Sequence, residues 1–355
     1  MEKRATVVTL VIVTLTVYVI ISTVYISNEP LPAICIHPQR YHRDRLTDGA
    51  PEDRQPMSSD CHTMFNANSC NSLPNYFLYP SVRRSYLNTT INFVHIAKTG
   101  GDTMRRCLTN LASSGGLKPP VTVDFNYACQ GTRDHGNVDI SMGHCSSGMC
   151  DVINAAQPNR KCSTFTILRE PFERMTSHYY YLRQCANTTM IDNTHAQKSR
   201  SMKLADWALL TGSETRNKFF RKEELVQHTN GSRFCNVESE PLQNFENDIY
   251  MENILQNLDK HLGVIGLTSE YEMTLKMLQR AYSLPFYDLC KDFLLNKGTY
   301  GNRKDVSIMK QIKANAVRQL KQNQRVKQML HLDIEIYEKA KEIFQKQKEL
   351  MNDIR

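Results

Sequence analysis

The hydrophobic and polar positions fall into three regimes. Residues Ala5 to Ile26 are an unbroken apolar run of Val, Ile, Leu and Thr without a charged side chain. That is the length a bilayer-spanning helix needs, roughly 20 residues. A proline-rich, polar stretch follows, with seven of the thirteen prolines between Pro30 and Pro80. From about Tyr86 short β-like runs alternate with stretches of helical spacing. The runs predict strands over Ile91–Ile96, Asp139–Met142, Ser163–Leu168 and His261–Leu267. Helices are predicted over Thr103–Ala112, from Pro171 through Tyr181, over Glu270–Tyr282, and almost continuously from Val306 to Lys348. Strands alternating with helices predict an α/β domain with a mainly parallel sheet flanked by helices and a helical C-terminal region.

The resulting organisation is a short tail (residues 1–4), a membrane signal-anchor (5–26), a stem or linker (27–85) and a folded domain (86–355). Lys3 and Arg4 precede the span and Glu29 follows it, so the positive-inside rule puts the tail in the cytoplasm and the body in the lumen. Sequons at Asn88, Asn187 and Asn230 agree with a lumenal body. So do eleven cysteines, all after the span, in a compartment where disulfides form. Eleven is odd, and the pairing does not follow from spacing; Cys145 and Cys150, flanking a short loop, read as structural. No C-x-x-C pair or His/Cys cluster points to a metal. The formal charge of +8 in a lumenal protein favours an acidic polysaccharide, acidic peptide or anionic cofactor over nucleic acid.

The chemistry concentrates in two segments. In the first, the strand ending at Ile96 breaks into Lys98-Thr99-Gly100-Gly101-Asp102-Thr103 and then a helix. Glycines admit a ligand close to the backbone, and a helix start offers unpaired N–H groups to an anion. The lysine precedes the glycines, which is not the order of a Walker A loop. In the second, Arg169 emerges at a strand end, Pro171 suits a first helical turn, and Ser177 lies two turns on. Arg169 serves equally well as a fork for phosphate oxygens or as the partner of Glu170 or Glu173. Ligands of parallel α/β sheets bind beyond the carboxyl ends of the strands, where Lys98, His144 and Arg169 all fall.

Together these segments resemble the membrane-bound Golgi carbohydrate sulfotransferases, particularly the heparan-sulfate 2-O/6-O-sulfotransferase-like group. The resemblance rests on the Lys98–Thr103 loop and on Leu168, Arg169, Glu170, Pro171, Arg174, Ser177 and Tyr179. It continues at Val264–Glu272 and at His331–Ala340, so it covers about residues 90 to 345. It implies a P-loop-like sulfotransferase fold and a single-pass type II Golgi enzyme. The reaction implied is in-line transfer of a sulfuryl group from 3′-phosphoadenosine 5′-phosphosulfate (PAPS) to a glycan hydroxyl, without a metal. In that scheme Lys98 neutralises the leaving phosphate oxygen. Thr99, Gly100, Gly101 and Thr103 hold the 5′-phosphate, and Arg169 and Ser177 hold the 3′-phosphate. Asp102 stands where the family has Thr or Ser; it either caps the helix with its carboxylate turned aside or weakens cofactor binding. His144 is the favoured general base, with His135 and His95 as rivals, while His178 reads at least as well as structural. A lumenal kinase-like phosphotransferase and a glycan-binding relative without turnover stand as the other two readings. Eight basic residues against one acid between Asn302 and Lys327 form either a solvated helix face or a groove for a sulfated or carboxylated chain.

Overall fold

The structure is a computed structural model that describes residues 73–123, 138–144, 150, 153, 160–185, 194–213, 215, 248–293 and 303–353. Five strands form one parallel sheet: β1 (Thr90–Val94), β2 (Val121–Val123), β3 (Ile140–Gly143), β4 (Cys162–Leu168) and β5 (Val264–Leu267), in spatial order β2-β3-β1-β4-β5. Every residue of β1, β3, β4 and β5 is buried. That is the pattern of a parallel sheet covered on both faces, and it explains why these strands read as continuous apolar runs. The helices are α1 (Gly101–Ser114), α2 (Pro171–Cys185), α3 (Thr194–Ser201), α4 (Leu204–Thr211), α5 (Asp248–His261), α6 (Tyr271–Tyr282) and α7 (Phe286–Cys290), followed by α8 (Arg303–Gln322), α9 (Gln324–Met329) and α10 (His331–Asp353).

The predicted elements exist, with shifted ends. The strand expected over His261–Leu267 begins only at Val264, because His261 closes α5 and Leu262-Gly263 makes the turn. The long C-terminal helix is three helices. Its first break is at Asn323, whose side chain accepts from the Val326 N–H and starts α9. The stretch expected as stem up to residue 85 is folded onto the body from Leu73 onward. Leu73 and Phe77 are buried in the main core, and Pro80–Asn88 form a 3-10 helix leading into β1. Among the described residues, no helix is long and apolar enough to cross a membrane; Ala5–Ile26 lie outside them.

Strand β5 ends the sheet, and its outer edge is closed by a side chain. The Gln347 amide of α10 donates to the Ile265 carbonyl (2.8 Å) and accepts from the Ile265 N–H (3.0 Å), as a neighbouring strand would. Asn75 donates to the same Gln347 (2.7 Å), which ties the segment before β1 to the C-terminal helix. A second apolar cluster, built on Phe172, Met175, Trp207, Leu320 and Leu330, joins α2, α4, α8 and the chain before α10. Beside it Arg174 of α2 and Asp333 of α10, both fully buried, approach to 3.6 Å, and the Ser213 hydroxyl donates to the same carboxylate. Two disulfides stand among the described cysteines: Cys107–Cys290 joins α1 to α7, and Cys150–Cys162 reaches the start of β4.

Removing one member of a buried ion pair strands the other charge, at a cost of about 3–5 kcal/mol, whereas replacing both is far milder. Arg174→Met is therefore expected to lower the unfolding free energy by about that amount in a urea titration. Combining it with Asp333→Leu should restore most of the loss. An independent effect belongs to His261, whose pKa is lowered by burial from 6.5 to about 4. The folded state excludes a proton that the unfolded state takes up. Its contribution is thus fully present above about pH 6.5 and lost as the pH falls toward 4, up to about 3 kcal/mol. A His261→Gln variant should show a correspondingly shallower loss of stability over that window.

Candidate functional site

Because all five strands are parallel, their carboxyl ends lie along one edge of the sheet. Lys98 follows β1, His144 follows β3, Arg169 follows β4 and Thr268 follows β5. The ends are tied together: His95 N–H donates to the Gly143 carbonyl (2.7 Å), and Thr268 Oγ1 donates to the Leu168 carbonyl (2.9 Å). The three positions singled out in the sequence are therefore brought to one edge.

The loop after β1 is tightly built. Lys98 and Gly100 both have left-handed backbone (φ 68° and 88°), and Thr99 between them is buried with its hydroxyl on the Ile96 carbonyl (2.8 Å). A left-handed lysine costs of the order of 1–3 kcal/mol and marks a position held by its surroundings. Gly100 is the N-cap of α1 and has no side chain to offer, so the first N–H groups of the helix receive no side-chain cap. They carry the positive end of the helix dipole. The two glycines have separate reasons. A β-carbon on Gly100 would meet the Tyr271 ring at 3.2 Å, and one on Gly101 would lie 1.8 Å from the His95 ring. The Tyr271 hydroxyl, beside the ring edge that covers Gly100, is buried without a hydrogen-bond partner among the described residues. Burial raises its pKa, so it is a neutral donor at neutral pH.

Helix α2 presents one stripe to this loop. Arg169 just ahead of it and Glu173, Ser177 and Tyr181 within it are spaced four apart, so they share a face. Arg169 donates to the Lys98 carbonyl (3.4 Å), and the Lys98 ammonium sits 3.6 Å from the centroid of the Tyr181 ring. Ser177 is half-buried on that same face. The alternative partner expected for Arg169 is present too: its Nε lies 3.3 Å from Glu173. This pair is partly exposed at i,i+4 spacing and contributes only about 0.3–0.5 kcal/mol. Lys313 of α8 stands close enough for the charge of Arg169 to lower its pKa, after burial as the larger cause. Its sequence neighbourhood read only as a basic run, with nothing to separate Lys313 from Lys310 or Arg318.

The histidines divide sharply. His144 is half-buried and its ring stacks on that of His95 at 4.1 Å, while His95 is buried between His144, Phe93 and the start of α1. The two rivals for one role are thus neighbours. His178 instead meets the Trp207 ring edge-on at 5.5 Å in the second apolar cluster, a packing position. His135 lies outside the described residues, as do Asn187 and Asn230; Asn88 is exposed at the end of the 3-10 helix. Asp102 is exposed in the first turn of α1, and the N-cap is Gly100 rather than Asp102. Thr103 is buried on the inner face of the same turn.

No family model matches the chain. The urokinase plasminogen activator surface receptor of Aotus trivirgatus is 25% identical over 198 residues, which are 55% of this chain and 49% of the receptor. The chain thus spans about half the length of that relative, and an identity this low shows neither a family nor an activity.

The contact between Gly101 and His95 gives a direct check. Gly101→Ala places a methyl group inside the imidazole and is expected to lower the melting temperature by several degrees, since about 1 kcal/mol corresponds to 2–4 °C in a chain of this size. Adding His95→Ala should recover part of the loss by opening the space, which thermal unfolding of the two variants measures.

Proposed function

We infer that this chain is a PAPS-dependent sulfotransferase acting on a hydroxyl of a glycan, on a P-loop-like sulfotransferase fold. The observation that carries the reading is the loop between β1 and α1. There an uncapped helix start, two close-packed glycines and a buried, unpartnered tyrosine hydroxyl meet beside Lys98, Arg169 and Lys313. Such a constellation suits a dianionic group, and a lysine ahead of the glycines is the order on which the resemblance rests.

PAPS supplies the sulfuryl group. Lys98 and the N–H groups at Gly100, Gly101, Asp102 and Thr103 hold its 5′-phosphate side, and Thr99 fixes the turn that aims them. Arg169 and Ser177 take the 3′-phosphate, with Lys313 adding positive charge from α8. The Lys98 ammonium neutralises negative charge as it develops on the phosphate side, an effect that a desolvated site makes large. His144 accepts the proton of the acceptor hydroxyl, and the His95 ring behind it fixes its plane. The apolar run Ala5–Ile26 makes the chain a single-pass type II protein of the Golgi membrane with this site in the lumen, where the two disulfides are stable.

The test is transfer of radiolabel from PAPS, and in parallel from ATP, to a panel of desulfated glycosaminoglycans by the full chain in detergent. Label is expected from PAPS alone. Lys98→Ala should reduce the rate by about 10²-fold or more. His144→Ala should lose about 10²- to 10⁴-fold while still binding adenosine 3′,5′-bisphosphate. Transfer from ATP only, or turnover unaffected by both substitutions, would overturn the reading.

A further inference from the structure

Away from the loop, the C-terminal ends of α2 and α3, the link into α4 and one face of α8 enclose a cleft of about 570 Å³. One wall is cationic: Arg183 from the last turn of α2, Arg200 from the last turn of α3, and Lys203 just ahead of α4. Among the described residues, no acidic side chain lines the cleft. The opposite wall comes from α8 and the residue after it: Gln319 of α8 and Asn323 at the start of α9 line the cleft, and although α8 is strongly basic, none of its described lysines or arginines does. Two of its lysines lie elsewhere: Lys313 stands near Arg169, and Lys321 pairs with Glu170 at 3.2 Å. The run of basic residues between Asn302 and Lys327 thus contributes none of its described cationic side chains to this cleft.

The lining is held rigidly. The Tyr179 hydroxyl donates to the Met202 carbonyl (2.9 Å) and accepts from Arg183 (3.0 Å), which locks the end of α2 to the chain after α3 and fixes the guanidinium. Tyr180 packs edge-on against Tyr179 at 5.2 Å and remains half-buried in the cleft lining. Cations along one wall (Arg183 held by Tyr179, Arg200 and Lys203 exposed), amides along the other and a tyrosine ring between them match a sugar chain whose rings carry carboxylate or sulfate groups along one edge and hydroxyls along the other. The volume lies within the range of sites that enclose small ligands, about 300–1,000 Å³, enough for a short oligosaccharide segment.

We propose that this cleft is a binding site for an anionic oligosaccharide segment, separate from the sulfuryl-transfer site and holding the polymer that the latter acts on. Its position supports this. Tyr180 lines the cleft and the next residue, Tyr181, lies under the Lys98 ammonium, so α2 carries a residue of each site. The role of holding an acceptor rests on the sulfotransferase reading; the binding of an anionic sugar chain does not.

The experiment is fluorescence anisotropy on the full chain in detergent. The labelled probes are a heparin hexasaccharide, a carboxylate-only heparosan hexasaccharide, neutral maltohexaose and poly-glutamate. Both acidic sugars are expected to bind, with affinity falling as salt rises, and maltohexaose to bind far more weakly. Arg200→Ser with Lys203→Ser should weaken the acidic sugars about tenfold or more, the loss of one charged hydrogen bond. The affinity for adenosine 3′,5′-bisphosphate should stay unchanged in that variant. Lys98→Ala should leave sugar binding intact. Unchanged sugar affinity in the double variant overturns the proposal, as does equal binding of maltohexaose. Tighter binding of poly-glutamate assigns the cleft to an acidic peptide and also overturns it. Loss of adenosine bisphosphate affinity in the double variant overturns the separateness of the two sites. A chain that binds acidic sugars in the cleft but transfers no label from PAPS keeps the cleft and removes the sulfotransferase reading.

Discussion

Strand β1 is hydrogen-bonded in parallel on both edges, to β3 along Ile91–Val94 and to β4 along Thr90–Val94. A strand in that position has no free polar backbone and no solvent-facing side, so all five of its residues are buried. The consequence runs beyond stability. Parallel pairing aligns strand ends, so whatever follows β1, β3 and β4 is forced to the same edge of the sheet. The chain visits β2 and β3 on one side of β1 before crossing to β4 and β5 on the other. The loop after β1 therefore sits where the order of the sheet changes direction, the position at which such folds leave a crevice. The Thr166 hydroxyl, donating to the Val94 carbonyl at 2.9 Å, fixes the last residue of β1 against β4 just before the loop begins.

The same central strand makes the outer edge of β5 a liability, and polar side chains close it. Gln347 satisfies both backbone groups of Ile265, and Thr274 Oγ1 accepts from the Leu267 N–H at 3.1 Å. Residues that look like surface positions on helices α10 and α6 are therefore fully buried. A side-chain amide can do this because it carries one donor and one acceptor in the geometry of a peptide group. It also explains why residues ahead of β1 are folded: Asn75 is needed to complete the bonding of Gln347.

Much of this was legible in the sequence and some was not, for definite reasons. The buried strands announced themselves because a sheet covered on both faces demands unbroken apolar runs, and the edge carrying Lys98, His144 and Arg169 followed from their being parallel. The turn at Leu262-Gly263 was misread as strand because local apolarity does not separate the last turn of a helix from a strand entry. The folded stretch from Leu73 was hidden by its prolines and by polar residues whose partners lie up to 272 positions away. The pairing of Arg174 with Asp333 was invisible in the same way, although both residues stand in segments that had drawn attention separately. His95 and His144 appeared as competitors because sequence separates them by 49 positions, while adjacent strands stack their rings. Lys313 was lost in a run of like charges, since only packing distinguishes a lysine turned to Arg169 from its exposed neighbours.

Asp102 is the residue whose presence beside the proposed anion site in the loop after β1 most needs a physical reason. Its carboxylate is exposed in the first turn of α1, where the helix dipole favours a negative charge by about 0.3–1 kcal/mol. Opposing that, a phosphate at the helix start would repel it. On an exposed side chain that repulsion is reduced by water and cut off over a screening length of about 8 Å at physiological salt. The groups gathered on the other side of the loop, Lys98, Arg169 and Lys313, carry three positive charges and are half-buried, so they are screened less. The geometry thus separates the charges by solvation. Attraction acts where water is scarce, and the repulsion from Asp102 acts where water is plentiful. An aspartate at this position stabilises the helix in the absence of ligand without reversing the sign of the field at the loop.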